Sequence, residues 1–377
     1  MDFLISGITS ITPQQIVMYV IGAVLIWLAI NKDLEPVLLL PLGFGAILVN
    51  LPASGVLNQT LAGIGETNGI IEWLFNVGIE ASEAMPLLLF IGIGAMIDFG
   101  PLSNPKLFLF GAAAQFGIFA AIVVACFLGF DLKDAASIGI IGAADGPTSI
   151  LVSQVLGSNY IGPIAVVAYS YMALVPIIQP MVIKLLTTKK ERCIHMEYKP
   201  ATVSKKAKII FPIVVTFIAG LVAPMSVSLV GFLMFGNLLR ECGVLNNLSD
   251  TAQNVLSNLV SLLLGITIAF SMKADTFVNK ETLLIMLIGL AAFIFDTAAG
   301  VLFAKLMNLF SKEKINPMIG AAGISAFPMA ARVVQKMALK EDPSNVLIMQ
   351  ATGTNVSGQI ASVVAGGVIL NVVASIL

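Results

Sequence analysis

The residue of this chain best placed to do chemistry in an apolar setting is Asp145, in the string GAADGPTS at 142–149. A carboxylate at membrane depth costs at least ~2.5 kcal/mol on insertion scales, so one found there marks an ion or proton path. Gly146 and Pro147 follow it directly. Proline removes a backbone donor and stops a helix, and glycine admits unusual dihedrals. The resulting unwound turn frees carbonyl oxygens beside a carboxylate, a donor mixture that suits a hard cation. The competing structural reading is a kinked helix whose second half Asp145 caps; capping and ion binding can coexist.

A second set of donors is neutral. Segment 316–339 offers Asn316, Gly320, Gly323, Ser325 and Pro328. Segment 345–376 carries ATGTNVSGQ, with Thr354, Asn355, Ser357 and Gln359. Small-residue helix packing accounts for Gly353 and Gly358, but poorly for Asn355 and Gln359. Tyr171, in VAYSYMALVP, is either a site hydroxyl or a core aromatic. One carboxylate among neutral oxygens suits a monovalent cation, whereas Ca²⁺ draws more carboxylates. The expectation is a monovalent cation at Asp145 and Asn355, with Ser325 and Tyr171 nearby. Arg332, in FPMAARVVQK, either grips an anion bidentately or snorkels from a helix end. Asp98 in MIDFGPL, Asp296 in FIFDTAAG, and Ser357 are further candidates.

These residues need a scaffold, and the composition says which kind. The chain has 377 residues, 58% hydrophobic and 11% charged, with a mean hydropathy of +0.98; soluble domains carry about 25% charged residues. A bilayer absorbs this much apolar sequence where a core does not. The expected class is an all-α polytopic membrane protein of about eleven transmembrane helices, some broken or re-entrant, with 208–240 crossing once. A net charge of -1 gives no footing for nucleic acid. The three cysteines share no metal or disulfide spacing, the one histidine lies in a polar loop, and no cleavable signal peptide is evident.

The longest polar stretch, TTKKERCIHMEYKPATVSKKA at 187–207, is basic and therefore expected in the cytoplasm. It divides the chain into a first repeat (1–186) and a second (208–377). PLGFGAIL at 41–48 matches FLMFGNLL at 232–239, LLLFIGIG at 87–94 matches LLLGITIA at 262–269, and IGAADGPTS at 141–149 matches IGAAGISAF at 319–327. At the repeat offset Tyr171 lies opposite Asn355. With 208–240 crossing once, Lys273, Lys280, Arg332, Lys336 and Lys340 fall on the cytoplasmic side and the repeats are inverted, as in secondary transporters that bind at the midplane.

GAADGPTSI, AYSYMALVPIIQP, INPMIGAAGISAFPMAARV and GTNVSGQIAS together resemble the membrane β subunit of the biotin-dependent, Na⁺-pumping decarboxylases, over nearly the whole chain. That group serves oxaloacetate, methylmalonyl-CoA, glutaconyl-CoA and malonate decarboxylase complexes. The resemblance implies decarboxylation of carboxybiotin borne by a partner, coupled to Na⁺ export with consumption of a proton. It implies catalytic roles for Asp145, Tyr171 and Arg332, with Na⁺ held by Asp145, Asn316, Gly320, Ser325 and Asn355. It implies a carboxyltransferase subunit, a biotin carrier protein, a small single-span membrane subunit and a homo-oligomer of β subunits in the cell inner membrane. No Ala-Met-Lys-Met biotinylation site occurs, so biotin is expected on another chain; the nearest string is EAMP at 83–86. Two other readings share the polar residues: a Na⁺-coupled transporter of a small solute without decarboxylation, and a scaffold for a soluble enzyme. The scaffold leaves Asp145, Tyr171 and Asn355 unexplained.

Overall fold

A computed structural model of the chain describes residues 7, 9–32, 36–61, 63, 65–81, 84–97, 105–196, 203–222 and 224–376. Asp98 lies outside the described residues, as do positions 197–202 of the basic loop. The helices of eight residues or more are α1 (Pro13–Lys32), α2 (Pro36–Asn50), α3 (Ala84–Met96), α4 (Pro105–Ala113), α5 (Phe116–Phe127), α6 (Leu132–Gly139), α7 (Gly146–Val155), α8 (Ile161–Leu186), α9 (Lys205–Val222), α10 (Val227–Glu241), α11 (Ser257–Ile268), α12 (Lys280–Phe310), α13 (Met329–Glu341) and α14 (Ile348–Ile376). One antiparallel hairpin of two four-residue strands, Asn58–Leu61 with Gly65–Asn68, is the only strand pairing among the described residues. The all-α membrane class expected is otherwise what forms.

Length sets which helices can cross. At about 1.5 Å per residue, the 31 residues of α12 and the 29 of α14 exceed the ~30 Å hydrocarbon core. Among the described residues five helices are long and apolar enough to span, or seven if each of two bent pairs is one span, against the eleven expected. The bent pairs are Ile70–Glu80 with α3, and the two parts of α8, which meet at 65° between Met172 and Leu174. Pro176 and Pro180 sit inside α8 just past that bend, where each removes a helix hydrogen bond.

Segment 208–240 does not cross once. It forms two packed helices, α9 and α10, and Lys208 Nζ near the start of α9 lies 3.3 Å from the Glu241 carboxylate that ends α10. The segment therefore returns to the face it left. This moves the later loops. Lys305, close to the end of α12, donates to the Leu186 carbonyl at 2.9 Å and pairs with Glu191 of the basic loop at 3.2 Å. Lys280, at the other end of α12, stands on the opposite face, and so does Lys273 just before it. The hairpin at 208–240 corrects their expected placement.

Two helical hairpins enter from opposite faces. The first runs 132–159. Its two ends are joined by Asp134, whose carboxylate accepts from Ser158 Oγ (2.7 Å), Asn159 N (2.9 Å) and Asn159 Nδ2 (3.0 Å). The second runs 316–345. The side-chain amides of Asn316 and Asn345 both donate to the carbonyls of Arg192 and Ile194, so it starts and finishes at the basic loop. The tips meet inside the protein, where Ser325 N donates to the Ala143 carbonyl at 2.9 Å.

Packing across the halves follows the matched sequence words. α2 packs on α11, and α3 on α10. A Cβ on Gly45 of α2 would stand 3.3 Å from the Ile266 carbonyl oxygen, and one on Gly236 of α10 would stand 2.0 Å from that of Ile91. Asn50 Nδ2 donates to the Met272 carbonyl (2.8 Å), and Asn237 Nδ2 to that of Ile97 (2.9 Å). Ile91 and Ile266 are separated by the same offset as Ile97 and Met272, that of the second sequence match.

The basic loop is pinned where it is described. Arg192 pairs with Glu341 at 2.9 Å, His195 with Asp342 at 2.8 Å, and Gln350 Nε2 donates to the Met196 carbonyl at 2.9 Å. The backbone N–H and hydroxyl of Ser344, with His195, hold the Asp342 carboxyl down to about 2. A carboxylate lowered on folding stabilises above its unfolded value of about 3.9 and loses that contribution only as pH falls through about 2. The Asp342 carboxylate therefore stays ionised across the physiological range.

Candidate functional site

The site is built on a broken helix. After α6 the chain tightens into a 3₁₀ turn at Ile140–Ala143, and Ala144 adopts a left-handed conformation (φ 53°). Asp145 then starts α7 as its N-cap, accepting from Thr148 N at 3.2 Å, with Pro147 in the first turn. Proline tolerates that position because the N–H it lacks has no helical partner there. The capping reading of the sequence is thus part of the geometry.

The other carboxylate oxygen faces the second half. Asp145 Oδ2 accepts from Ser325 Oγ (3.0 Å), Gln359 Nε2 (3.1 Å) and Ser362 Oγ (2.7 Å), and the two hydroxyl oxygens are 2.9 Å apart. Asp145, Ser325, Gln359 and Ser362 are all buried. Asn355 adjoins this cluster by donating to the Ile324 carbonyl at 2.8 Å, and its Oδ1 has no partner among the described residues. Thr148 Oγ1 and Thr354 Oγ1 are likewise unpartnered there. A hydroxyl carries one proton and two lone pairs. Ser325 and Ser362 stabilise the carboxylate by donating, and by rotating they present lone pairs to a cation. No cluster of three carboxylate, histidine or cysteine groups exists among the described residues. One carboxylate, hydroxyls and an amide oxygen remain the donor set, which fits a monovalent cation better than Ca²⁺.

The remaining candidates go elsewhere. Tyr171 Oη donates to the Met286 carbonyl and lines an apolar cavity of about 320 Å³ walled by α1, α8 and α12. Two residues earlier, Tyr169 presses its hydroxyl-bearing ring carbon on the backbone of Gly146, at 2.5 Å from where a Cβ would be; its buried hydroxyl has no partner among the described residues. Positions two apart on a helix point to nearly opposite sides, so one tyrosine faces the site and the other faces away. Asn316 holds the basic loop. Gly320 abuts the backbone of Gly300. Ser357 donates to the Leu107 carbonyl at 2.9 Å, on the α4 side of α14. Asp296 accepts from Gly117 N at 2.5 Å, capping α5 from α12, and its second oxygen packs against Gly142. Arg332 is exposed on α13.

Ser362 is a contact that sequence reasoning did not single out, and Gln359 was named there only among the neutral donors. The signal was available: Asn355, Gln359 and Ser362 follow i, i+4, i+7 spacing and share a helix face. Replacing Ser362 by alanine removes one donor to a buried carboxylate and one oxygen from the cation set. The half-saturating Na⁺ concentration should rise up to about tenfold, as one hydrogen bond of up to ~1.5 kcal/mol implies. Ser357→Ala should move it much less. A Na⁺ titration of transport in vesicles checks both.

A buried carboxylate where two opposed helical hairpins meet is the build of an ion-translocating membrane protein. A protein-family model described as Na⁺-transporting oxaloacetate decarboxylase beta subunit matches residues 14–373. The chain is 48% identical to methylmalonyl-CoA decarboxylase subunit beta of Propionigenium modestum, over 97% of this chain and 96% of that one. It is 48% identical to glutaconyl-CoA decarboxylase subunit beta of Acidaminococcus fermentans (98% and 96%) and 44% identical to oxaloacetate decarboxylase beta chain 2 of Salmonella typhi (97% of each). The chain belongs to the family of Na⁺-transporting decarboxylase β subunits, multi-pass membrane proteins.

Proposed function

We propose that this β subunit decarboxylates carboxybiotin carried by a partner protein and uses that reaction to export Na⁺, with Asp145 as the shared ion and proton site. The observation that carries the reading is the contact of Asp145 with Ser325 and Ser362, a carboxylate of one half cradled by hydroxyls of the other. Loss of CO₂ breaks the bond between the carboxyl carbon and the ureido nitrogen and leaves the electron pair on nitrogen, which takes up a proton. Na⁺ arriving at Asp145 favours its ionised form, so cation entry and proton release are linked at one group. Proton delivery is assigned to Asp145 over Tyr171 because the Tyr171 hydroxyl is engaged by the Met286 carbonyl. Asn355 contributes its free amide oxygen. The contacts of Asn316 and Gly320 suit positioning of the second hairpin, and the place of Arg332 on α13 suits an anion approaching from the basic-loop face.

Two inverted repeats, 1–186 and 208–377, joined by the linker 187–207, account for the opposed hairpins and for the paired contacts of Asn50 with Met272 and Asn237 with Ile97. The linker face is assigned to the cytoplasm of the inner membrane by its lysines and Arg192. A carboxyltransferase subunit, a biotin carrier protein and a small single-span subunit complete the complex, with the β subunits as a homo-oligomer.

The test uses the purified subunit with its partners in vesicles. Supplied with a carboxylated biotin carrier, it should release CO₂ faster when Na⁺ is added and move ²²Na⁺ in step. Release indifferent to Na⁺ would overturn the coupling, and no release at all would leave a plain transporter.

A further inference from the structure

A second polar feature lies at the basic-loop face, away from Asp145. It is a groove of about 190 Å³ between the kinked α8 and α13. Each wall is a helical stripe of i, i+4 residues. On α8 the stripe is Pro176, Pro180 and Lys184; on α13 it is Val333 and Met337, with Lys336 and Lys340 beside them. The floor is thus apolar and the rim carries three ammonium groups. The lysines are exposed and make no ion pair among the described residues. Glu341, the one acid on the groove, is 2.9 Å from Arg192 and already neutralised. Arg332, one turn before Lys336 on the same face of α13, continues the cationic row toward the tip that bears Ser325.

We propose that this groove receives the N-carboxylated ureido ring of the carrier-borne biotin, with its carboxylate on Lys184, Lys336 and Lys340 and its ring on the proline and methionine floor. Three features favour that occupant. The rim is cationic and the ligand is an anion. The space suits a small ring system and is below the ~300–1,000 Å³ of drug-sized sites. The groove opens on the face of the basic loop and runs along α13, the helix that follows the Ser325 tip, so an anion held there is directed toward Asp145. The ammonium groups also keep the carboxylate charge-paired until the ring moves inward, where fewer donors stabilise it.

The proposal rests on the decarboxylase reading, and the experiment separates the two. The assembled complex is placed in phosphatidylcholine vesicles and the concentration of carboxylated carrier is varied at saturating Na⁺. K184Q and K336Q should each raise the half-saturating carrier concentration about tenfold, the loss of one charge-assisted contact; Lys336→Arg should restore it, and the Na⁺ half-saturation should stay within twofold. Lys312→Gln, on the same face but off the groove, should change neither. Unchanged carrier half-saturation in K184Q and K336Q overturns the groove. A defect seen only in vesicles containing phosphatidylglycerol overturns it too, because the lysines then hold a lipid headgroup. If the unaltered complex releases no CO₂ from the carrier under Na⁺, the decarboxylase reading itself fails.

Discussion

Asp145→Asn should leave a folded protein that no longer moves Na⁺. Asparagine matches aspartate in size, and its amide oxygen can still accept from Thr148 N, so the start of α7 is preserved. What disappears is the negative charge. Opposite charges about 4 Å apart at an effective dielectric of ~20 attract by ~4 kcal/mol, about a thousandfold in affinity. Ser325, Gln359 and Ser362 then surround a neutral amide, and among the described residues no other carboxylate contacts that cluster. Uptake of ²²Na⁺ by vesicles and Na⁺-stimulated CO₂ release should both fall below detection, while circular dichroism and the melting temperature stay close to those of the parent. Retained uptake would take Asp145 out of the cation path.

The second large effect concerns packing. Gly320, in the second hairpin, and Gly300, in α12, touch through their backbones: a Cβ on either would stand 2.1 Å from the other's carbonyl oxygen. A carbonyl cannot rotate aside as a flexible side chain can, so α12 and the hairpin must move apart. Overpacking typically costs 1–3 kcal/mol, and here the displaced element carries Ser325. Gly320→Val should therefore yield little stable protein, and Gly300→Ala and Gly320→Ala should each lower the melting temperature measurably. Because both substitutions open the same gap, the double alanine variant should lose less than the sum of the two. Additive losses would place the two glycines in separate contacts. The same measurements distinguish a packing role for Gly320 from a cation-ligating one: Gly320→Ala should weaken Na⁺ binding only as far as it destabilises the protein.

The core of the site was readable because its cues are local. A carboxylate beside Gly-Pro in an apolar run is visible in one string, and so are the polar residues of GTNVSGQ. The face of α14 that matters was also available, since Asn355, Gln359 and Ser362 share a helical spacing while Ser357 falls outside it. Other features depend on distant partners. Nothing near Asn316 announces that its amide reaches carbonyls 124 and 122 residues earlier. Tyr169 and Tyr171 stand two residues apart, and only the bend and rotation of α8 decide which one meets Gly146. The single crossing expected for 208–240 fails for a similar reason: the pairing of Lys208 with Glu241 reveals a hairpin, and hydropathy does not register that contact.

Ser362, which binds Asp145, stands 14 residues from Ile348 and 14 from Ile376, the two ends of α14. The carboxylate is therefore level with the centre of a helix that spans the bilayer. On the proposed assignment of Asp145 as the cation site, an ion reaching it from either face would descend through about half of the transmembrane voltage. Each leg of the passage then carries about 1.2 kcal/mol per 100 mV, half the full work on one charge. A pump built this way divides its electrical load evenly between loading and release, so neither step alone bears the whole force of an energised membrane.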